Sequence, residues 1–174
     1  GVDIVWHLAG QPGVRLSWSD GFDLYTHRNI TATQRVLEAA KSAEVGRIVY
    51  ASSSSVYGNA ERYPTLETDR PEPYSPYGVT KLAGEHLCSL YASNWNMATV
   101  ALRYFTVYGP RQRPDMATHR LINAAFDQTS FPMFGDGSQE RSFTFVSDVV
   151  DATYRAGVIL DLPSGLVLNV AGDE

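Results

Sequence analysis

The chain has 174 residues, 44% of them hydrophobic and 19% charged, and a net charge of −5, the composition of an ordinary globular domain with a sizeable core. The acidic balance and the lack of any basic run argue against a nucleic-acid partner. No apolar run reaches the roughly 20 residues of a membrane-spanning helix, and a single cysteine, Cys88, excludes an internal disulfide and fits a reducing, cytoplasmic compartment.

Gly1 leads at once into Val2-Asp3-Ile4-Val5-Trp6, a strand already under way, so residue 1 is not expected to be a natural start. VDIVWHLAG (2–10) is a short apolar run ending in glycine, the pattern of a buried parallel strand. From Asp20 to about Ala43, apolar and small residues recur at helical spacing through Ile30, Val36, Leu37 and Ala40. GRIVYASSS (46–54) is a second buried strand that runs into four serines. Residues 58–76 lack periodicity, and a loop of that length inside a compact domain is more often functional than idle. A helix fits Tyr77 to Trp95, just after the turn residues Ser75 and Pro76. MATVALRYFTVYG (97–109) reads as one strand, followed by the loop PRQRPDMAT. Residues 118–128 are predicted helical, FPMFG (131–135) and SFTFV (142–146) as short strands, and LVLNV (166–170) as the last strand. Asp148 is placed as the cap of a helix through Ile159.

Strands that alternate with helices and are solidly apolar predict an α/β fold, a doubly wound parallel sheet with helices on both faces. Ligands of such sheets gather at the carboxyl ends of the strands. Polar loops fall at three of those ends: Ala9-Gly10-Gln11, Ser52 to Ser55, and Thr106 to Arg113. In SPYGVTKLAGEHL (75–87), Tyr77 and Lys81 stand one helical turn apart on one face. A phenol titrates near pH 10, and a cation within ~4–6 Å can pull that value down by roughly 1–3. An exposed amphipathic turn carries the same spacing, and serines at a strand end can simply cap a turn. The serine strand end and the Tyr-Lys segment together are far more specific than either alone. His27, His86 and His119 show no metal-ligand spacing, so no metal is expected.

Five segments, HLAGQPGVR (7–15), YASSSSVYG (50–58), SPYGVTK (75–81), LRYFTVYGPRQRPDMA (102–117) and FGDGSQERSFTFVSDVVDA (134–152), resemble the extended short-chain dehydrogenase/reductase superfamily, in its nucleotide-sugar epimerase/dehydratase branch. They cover nearly the whole chain. Within the branch, RYFTVYGPRQRPDMA looks most like UDP-glucuronate 4-epimerases, whereas many UDP-glucose 4-epimerases have Asn in place of Thr106. Family members begin with a strand and a GxxGxxG turn that holds the dinucleotide pyrophosphate. No such turn is present, because GDGSQ (135–139) follows a short late strand and opens no helix. The resemblance implies a Rossmann-like sheet without its N-terminal glycine-rich βαβ unit. Residues 1–174 would be an internal fragment of one epimerase domain, inactive by itself. Residues 1 to about 110 would be mostly NAD-binding, and about 111–174 would mix in parts of a substrate-binding lobe.

By the same resemblance, Tyr77 is the catalytic base, Lys81 lowers its pKa and bonds the nicotinamide ribose, and Ser53 is the catalytic hydroxyl on the sugar O4. Leu8, Ala9, Gly10 and Ser52 run along NAD, and Tyr104 approaches the nicotinamide. For the UDP-sugar, Ser53, Ser54, Ser55 and Thr106 face the sugar, Arg113 lies in the loop facing the sugar nucleotide, and Met133 and Phe134 flank the uracil. Arg141 grips the diphosphate, a task suited to a guanidinium, with an ion pair to Glu140 or Asp136 as the plain alternative. His7 and Asn29 are read as structural and Cys88 as a buried small hydrophobe.

The implied reaction is C4 epimerisation through a transient 4-keto sugar. Related dehydratases carry an Asp-Glu pair where this chain has Ser54 and Ser55, and decarboxylating relatives carry Glu at the place of Ser55, so both reactions are disfavoured. Ser54, Ser55 and Thr106 could donate to a sugar carboxylate, which puts UDP-glucuronate ahead of UDP-glucose. A non-catalytic nucleotide-binding relative is the alternative from another class, disfavoured because Tyr77, Lys81 and Ser53 are all present. The family commonly forms homodimers through the Tyr-Lys helix and the helix before it; Leu82, Leu87 and Leu90 suit such a face or a core equally. NAD against NADP stays open, since the residue that reads the ribose belongs to the absent N-terminal segment.

Overall fold

The computed structural model describes every residue except Glu61, Phe134, Ser138, Gln139, Asp173 and Glu174. Along the chain run β1 (Ile4–His7), α1 (Phe22–Tyr25), α2 (Ala32–Ser42), β2 (Arg47–Ser53), α3 (Pro76–Trp95), β3 (Thr99–Tyr104) and β4 (Thr106–Tyr108). They are followed by α4 (Ala117–Phe126), β5 (Phe143–Phe145), α5 (Val146–Val158) and β6 (Leu166–Val170). Strands β1, β2, β3 and β6 pair in that order, all parallel, which places their carboxyl ends on one edge.

Side chains of a strand alternate between the two faces of its sheet. Ile48 and Tyr50 of β2, with Ala101 of β3, turn toward Leu37 and Ala40 of α2 and Cys88 and Tyr91 of α3. Val49, Val100, Leu102 and Val170 turn the other way, toward Val149 and Ala156 of α5. Every residue of β2 is buried, which explains why its sequence shows no polar alternation.

The entrance to α3 is built as its sequence predicts. The Ser75 Oγ accepts from the Gly78 N–H at 3.1 Å, Pro76 takes the first helical position, and Asn96 ends the helix at φ 53°. The long helix expected over 20–43 is less regular. Short 3₁₀ turns at Arg15–Ser17 and Ser19–Gly21 precede α1, and a π-helical stretch, Thr26–Thr31, joins α1 to α2. Such stretches recur at functional sites, and this one carries Asn29.

Three expectations are corrected. The strand read over 97–109 is two strands in two sheets: the Phe105 N–H bonds the Val170 carbonyl at 3.1 Å and the Thr106 N–H bonds that of Ser142 at 3.2 Å. The chain thus changes partner from β6 to β5 within one residue, and β4 and β5 pair in parallel. Residues 131–133 and 135 form no strand. Asp148 is not the cap of α5; Phe145 occupies that place, and Asp148 lies in the first turn, where a carboxylate complements the helix dipole. No helix among the described residues is long and apolar enough to cross a membrane.

Candidate active site

Helix α3 lies along β2 with a four-residue rhythm, so that Tyr77, Lys81 and Glu85 face the strand from successive turns. The Lys81 Nζ donates to the Ala51 carbonyl at 2.8 Å, and the Glu85 carboxylate accepts from the Ser52 hydroxyl. Ser53, the last residue of β2, caps the 3₁₀ turn Ser54–Val56: its Oγ accepts from the Ser55 N–H at 3.2 Å. That bond uses the oxygen as acceptor and leaves its proton to be donated.

Burial lifts the Tyr77 phenol above its ordinary value, while the neighbouring Ser53 hydroxyl and the charge of Arg113 act in the opposite direction. The expected lowering by Lys81 is therefore corrected: desolvation wins, and the ammonium is engaged with a carbonyl instead. Lys81 is only 6% exposed and stands 5.2 Å over the Tyr50 ring. Burial lowers its pKa to about 8, because a charge withdrawn from water favours its neutral form.

A cleft of about 600 Å³ opens at the carboxyl edge of the sheet, and Leu8, Gly10, Ser52, Tyr77, Lys81 and Tyr104 line it. Six positions expected from the sequence thus converge there. A Cβ at Gly10 would stand 3.0 Å from the Asn29 Oδ1 and 3.3 Å from the Lys81 Nζ, so bare backbone comes close to the ammonium. The Gln11 N–H donates to the Asn29 Oδ1 at 2.6 Å, and the Asn29 Nδ2 donates to the Gln11 carbonyl and the Thr80 Oγ1, both at 3.0 Å. One amide in the π-helical stretch therefore staples the loop after β1 to α3. Bare backbone at Gly10, largely apolar walls and the Lys81 ammonium suit a planar nicotinamide ring with its ribose hydroxyls, so the residues present fit that end of NAD.

A second cleft, of about 750 Å³, lies beyond Pro12 and is lined by Gly13, Arg15, Arg113, Arg120 and Phe131 among others. The Tyr25 hydroxyl bonds the carbonyls of Pro12 and Gly13 at 2.9 and 2.6 Å, and its ring meets that of Tyr77 edge-on at 6.2 Å. Buried Tyr25 is the post between the clefts. Asp115 clamps the Arg113 guanidinium at 2.6 and 2.9 Å, and this partner holds the Asp115 carboxyl below its usual range.

Ser54 and Ser55 sit half-buried in the turn after β2, Thr106 opens β4, and Ala9 is exposed. The Ser52 hydroxyl is committed to Glu85. Met133 is 61% exposed and the exposed Arg141 donates to the Glu140 carbonyl at 2.6 Å; neither lines these two clefts. Phe134 lies outside the described residues. His7 is buried, bonds the Thr33 Oγ1 at 3.0 Å and is pushed down in pKa by burial and then by the Lys81 charge, a structural role as expected. Sequence reasoning missed Glu85 and Arg103. Their signal was an arginine inside an apolar strand and a glutamate one turn beyond Lys81, since buried charges require partners.

The family model described as the NAD dependent epimerase/dehydratase family matches residues 1–171. An uncharacterized UDP-glucose epimerase of Bacillus subtilis (strain 168), YtcB, is 47% identical over 176 residues, covering 100% of this chain and 54% of that protein. A UDP-glucuronate 4-epimerase of Thermodesulfobacterium geofontis (strain OPF15) is 38% identical over 154 residues, covering 87% of this chain and 47% of that protein. The crystal structure of UDP-glucuronic acid 4-epimerase from Bacillus cereus, in complex with UDP-glucuronic acid and NAD, superposes with a TM-score of 0.91 at 48% identity. That match covers 99% of this chain and 55% of the other. The chain spans about half the length of the relatives it matches.

Proposed function

Because the chain belongs to the NAD dependent epimerase/dehydratase family, we propose that its complete protein is an NAD-dependent epimerase inverting C4 of UDP-glucuronate. One observation carries this reading. The phenol of Tyr77 stands on the cleft at the carboxyl edge of the sheet, where Ser53 and the charge of Arg113, from the arginine-lined cleft, both favour its ionised form.

Leu8, Ala9, Gly10, Ser52 and Tyr104 would hold NAD, with Lys81 at the ribose. Bound NAD supplies a hydride acceptor and donor for the sugar carbon. The proton chemistry falls to the chain. Tyr77 Oη takes the proton of the C4 hydroxyl while Ser53 donates to the same oxygen and spreads its developing charge. The proton rests on Tyr77 Oη while the flat keto sugar turns over, then returns to O4 on the opposite configuration. Such turning needs firm contacts to UDP and loose ones to the ring. The arginines of the second cleft, Arg141, Met133 and Phe134 are assigned to UDP, and Ser54, Ser55 and Thr106 to the sugar.

Three hydroxyls and no carboxylate at those sugar positions support the acid sugar, as do the names of the T. geofontis and B. cereus relatives. UDP-glucose is the second reading, supported by the name of the B. subtilis relative. Homodimer assembly through α3 and the helix before it is part of the proposal; Leu90 is exposed, while Leu82 and Leu87 are half-buried.

Proton NMR of UDP-glucuronate incubated with the complete protein and NAD tests the reading. UDP-galacturonate, without pentose or 4-keto-6-deoxy product, is expected. Turnover of UDP-glucose alone would move the assignment to the neutral sugar, and turnover of neither would leave a non-catalytic relative. Tyr77→Phe is expected to cut turnover by ~10²–10⁴-fold with UDP-sugar binding retained.

A further inference from the structure

A buried polar chain runs behind the site and is not used by the chemistry above. Glu85 accepts from the Ser52 hydroxyl and from Arg103, whose Nε and Nη2 stand at 3.0 and 2.8 Å. The Arg103 Nη1 donates to the Tyr57 Oη at 2.7 Å, and that phenol donates to the Asn169 Oδ1 at 2.7 Å. Asn169 in turn donates to the loop after β2, through its Nδ2 to the Thr65 carbonyl at 3.0 Å and its N–H to the Glu67 carboxylate at 2.7 Å.

Glu85 is 5% exposed, and Arg103 and Ser52 are 3% exposed. Stability alone does not account for an ion pair this dry. Desolvation offsets most of its attraction, and apolar replacements of similar volume are often neutral or stabilising. Its placement offers a better account. Lys81 holds the carbonyl of Ala51 and Glu85 holds the hydroxyl of Ser52, so α3 is tied to β2 at the two residues just before Ser53. Both ties come from the helix face that carries Tyr77. The far end of the chain anchors the loop whose last residue, Ser75, caps α3. Ser53 and Tyr77, on either side of that loop, are thereby held by one network.

We propose that Glu85 and Arg103 are positioning residues for the epimerase reaction, keeping Ser53 of β2 in register with Tyr77 and Lys81 of α3 across the α3–β2 interface. This rests on the catalytic reading of Tyr77. A carboxylate and a planar guanidinium fix direction as well as distance, which an apolar pair of the same volume does not.

The test uses the complete protein and the double variant Glu85→Leu/Arg103→Met. Single variants strand a buried charge and lose stability, so the double variant, which removes both charges, separates packing from positioning. It is expected to unfold at nearly the wild-type denaturant concentration, to keep KM for the UDP-sugar, and to lose kcat at least ~10-fold, since an ångström of misplacement can cost ~10²-fold. Ser52→Ala, which cuts only the link to β2, is expected to lower kcat in the same direction. An NMR titration of ring-labelled Tyr77 gives a readout that needs no turnover. The groups acting on this phenol are Ser53 of β2, Arg113 of the loop after β4 and Tyr25 of α1, and Tyr50 of β2 interacts with it as well. The titration is expected to move in the double variant, although none of these residues is replaced. Wild-type kcat in the double variant, or an unmoved Tyr77 titration, overturns the proposal. If the wild-type protein turns over no UDP-sugar, the epimerase reading falls and the titration still decides the register.

Discussion

Lys81→Met is expected to remove a cost that the wild-type protein carries at neutral pH. The ammonium is buried against Tyr50 and the Ala51 carbonyl, and burial lowers its pKa from 10.5 to about 8. At about 1.36 kcal/mol for each tenfold change, that displacement corresponds to about 3 kcal/mol against the charged folded form. The sign follows from linkage. Below about pH 8 the side chain is charged in both folded and unfolded chains, and the whole cost is present. Between about 8 and 10.5 the folded side chain is neutral while the unfolded one is still charged, so the cost fades as pH rises. The variant forfeits the bond to Ala51 at every pH, a constant loss of ~1–2 kcal/mol, so the informative quantity is the change in the gap. Urea unfolding of cofactor-free wild-type and variant protein should show the variant losing about 2 kcal/mol of relative stability between pH 7 and 10. Its turnover should be lost at all pH values. A gap that stays constant over this range would refute a buried ammonium, and retained turnover would refute its place beside the base.

Two further variants test the framework that holds the site. Gly84→Ala would drive a Cβ into the buried Tyr50 hydroxyl and ring, forcing α3 off β2; a loss of at least ~1–3 kcal/mol in urea unfolding is expected, together with lower turnover. Wild-type stability would mean that the helix shifts freely over the strand. Arg47 opens β2 at the end away from the cleft and donates to the carbonyls of Ile159 and Leu160, which terminate α5. Arg47→Met is expected to cost ~2–3 kcal/mol by leaving those carbonyls unbonded, with kcat unchanged, and a drop in kcat would show that the two sheet edges are coupled.

The α/β class, the parallel sheet and the cleft at its carboxyl edge follow from the sequence because their signals are local. A strand buried on both faces must be apolar throughout, as Arg47–Ser53 is apart from its ends, and Ser75 with Pro76 marks a helix start whatever surrounds it. Tyr77 and Lys81 share a helix face because four residues make about one turn, and both line the cleft; Ser53 ends the strand that the serine run follows. Other features depend on groups distant along the chain. Nothing in LRYFTVYG signals that the strand changes partner at Phe105, because the switch depends on where the carbonyls of Val170 and Ser142 lie. The direction of the Tyr77 shift was misjudged for the same reason: spacing along a helix reveals a neighbouring ammonium, but only the packed fold shows how much water is removed and that this ammonium is bonded to Ala51. Glu85 and Arg103 are eighteen residues apart, and each alone looks like a misplaced charge. Composition and periodicity decide which residues must be buried; which buried charges meet, and how strongly the surrounding protein excludes water from them, is decided by the tertiary packing that sets their distances.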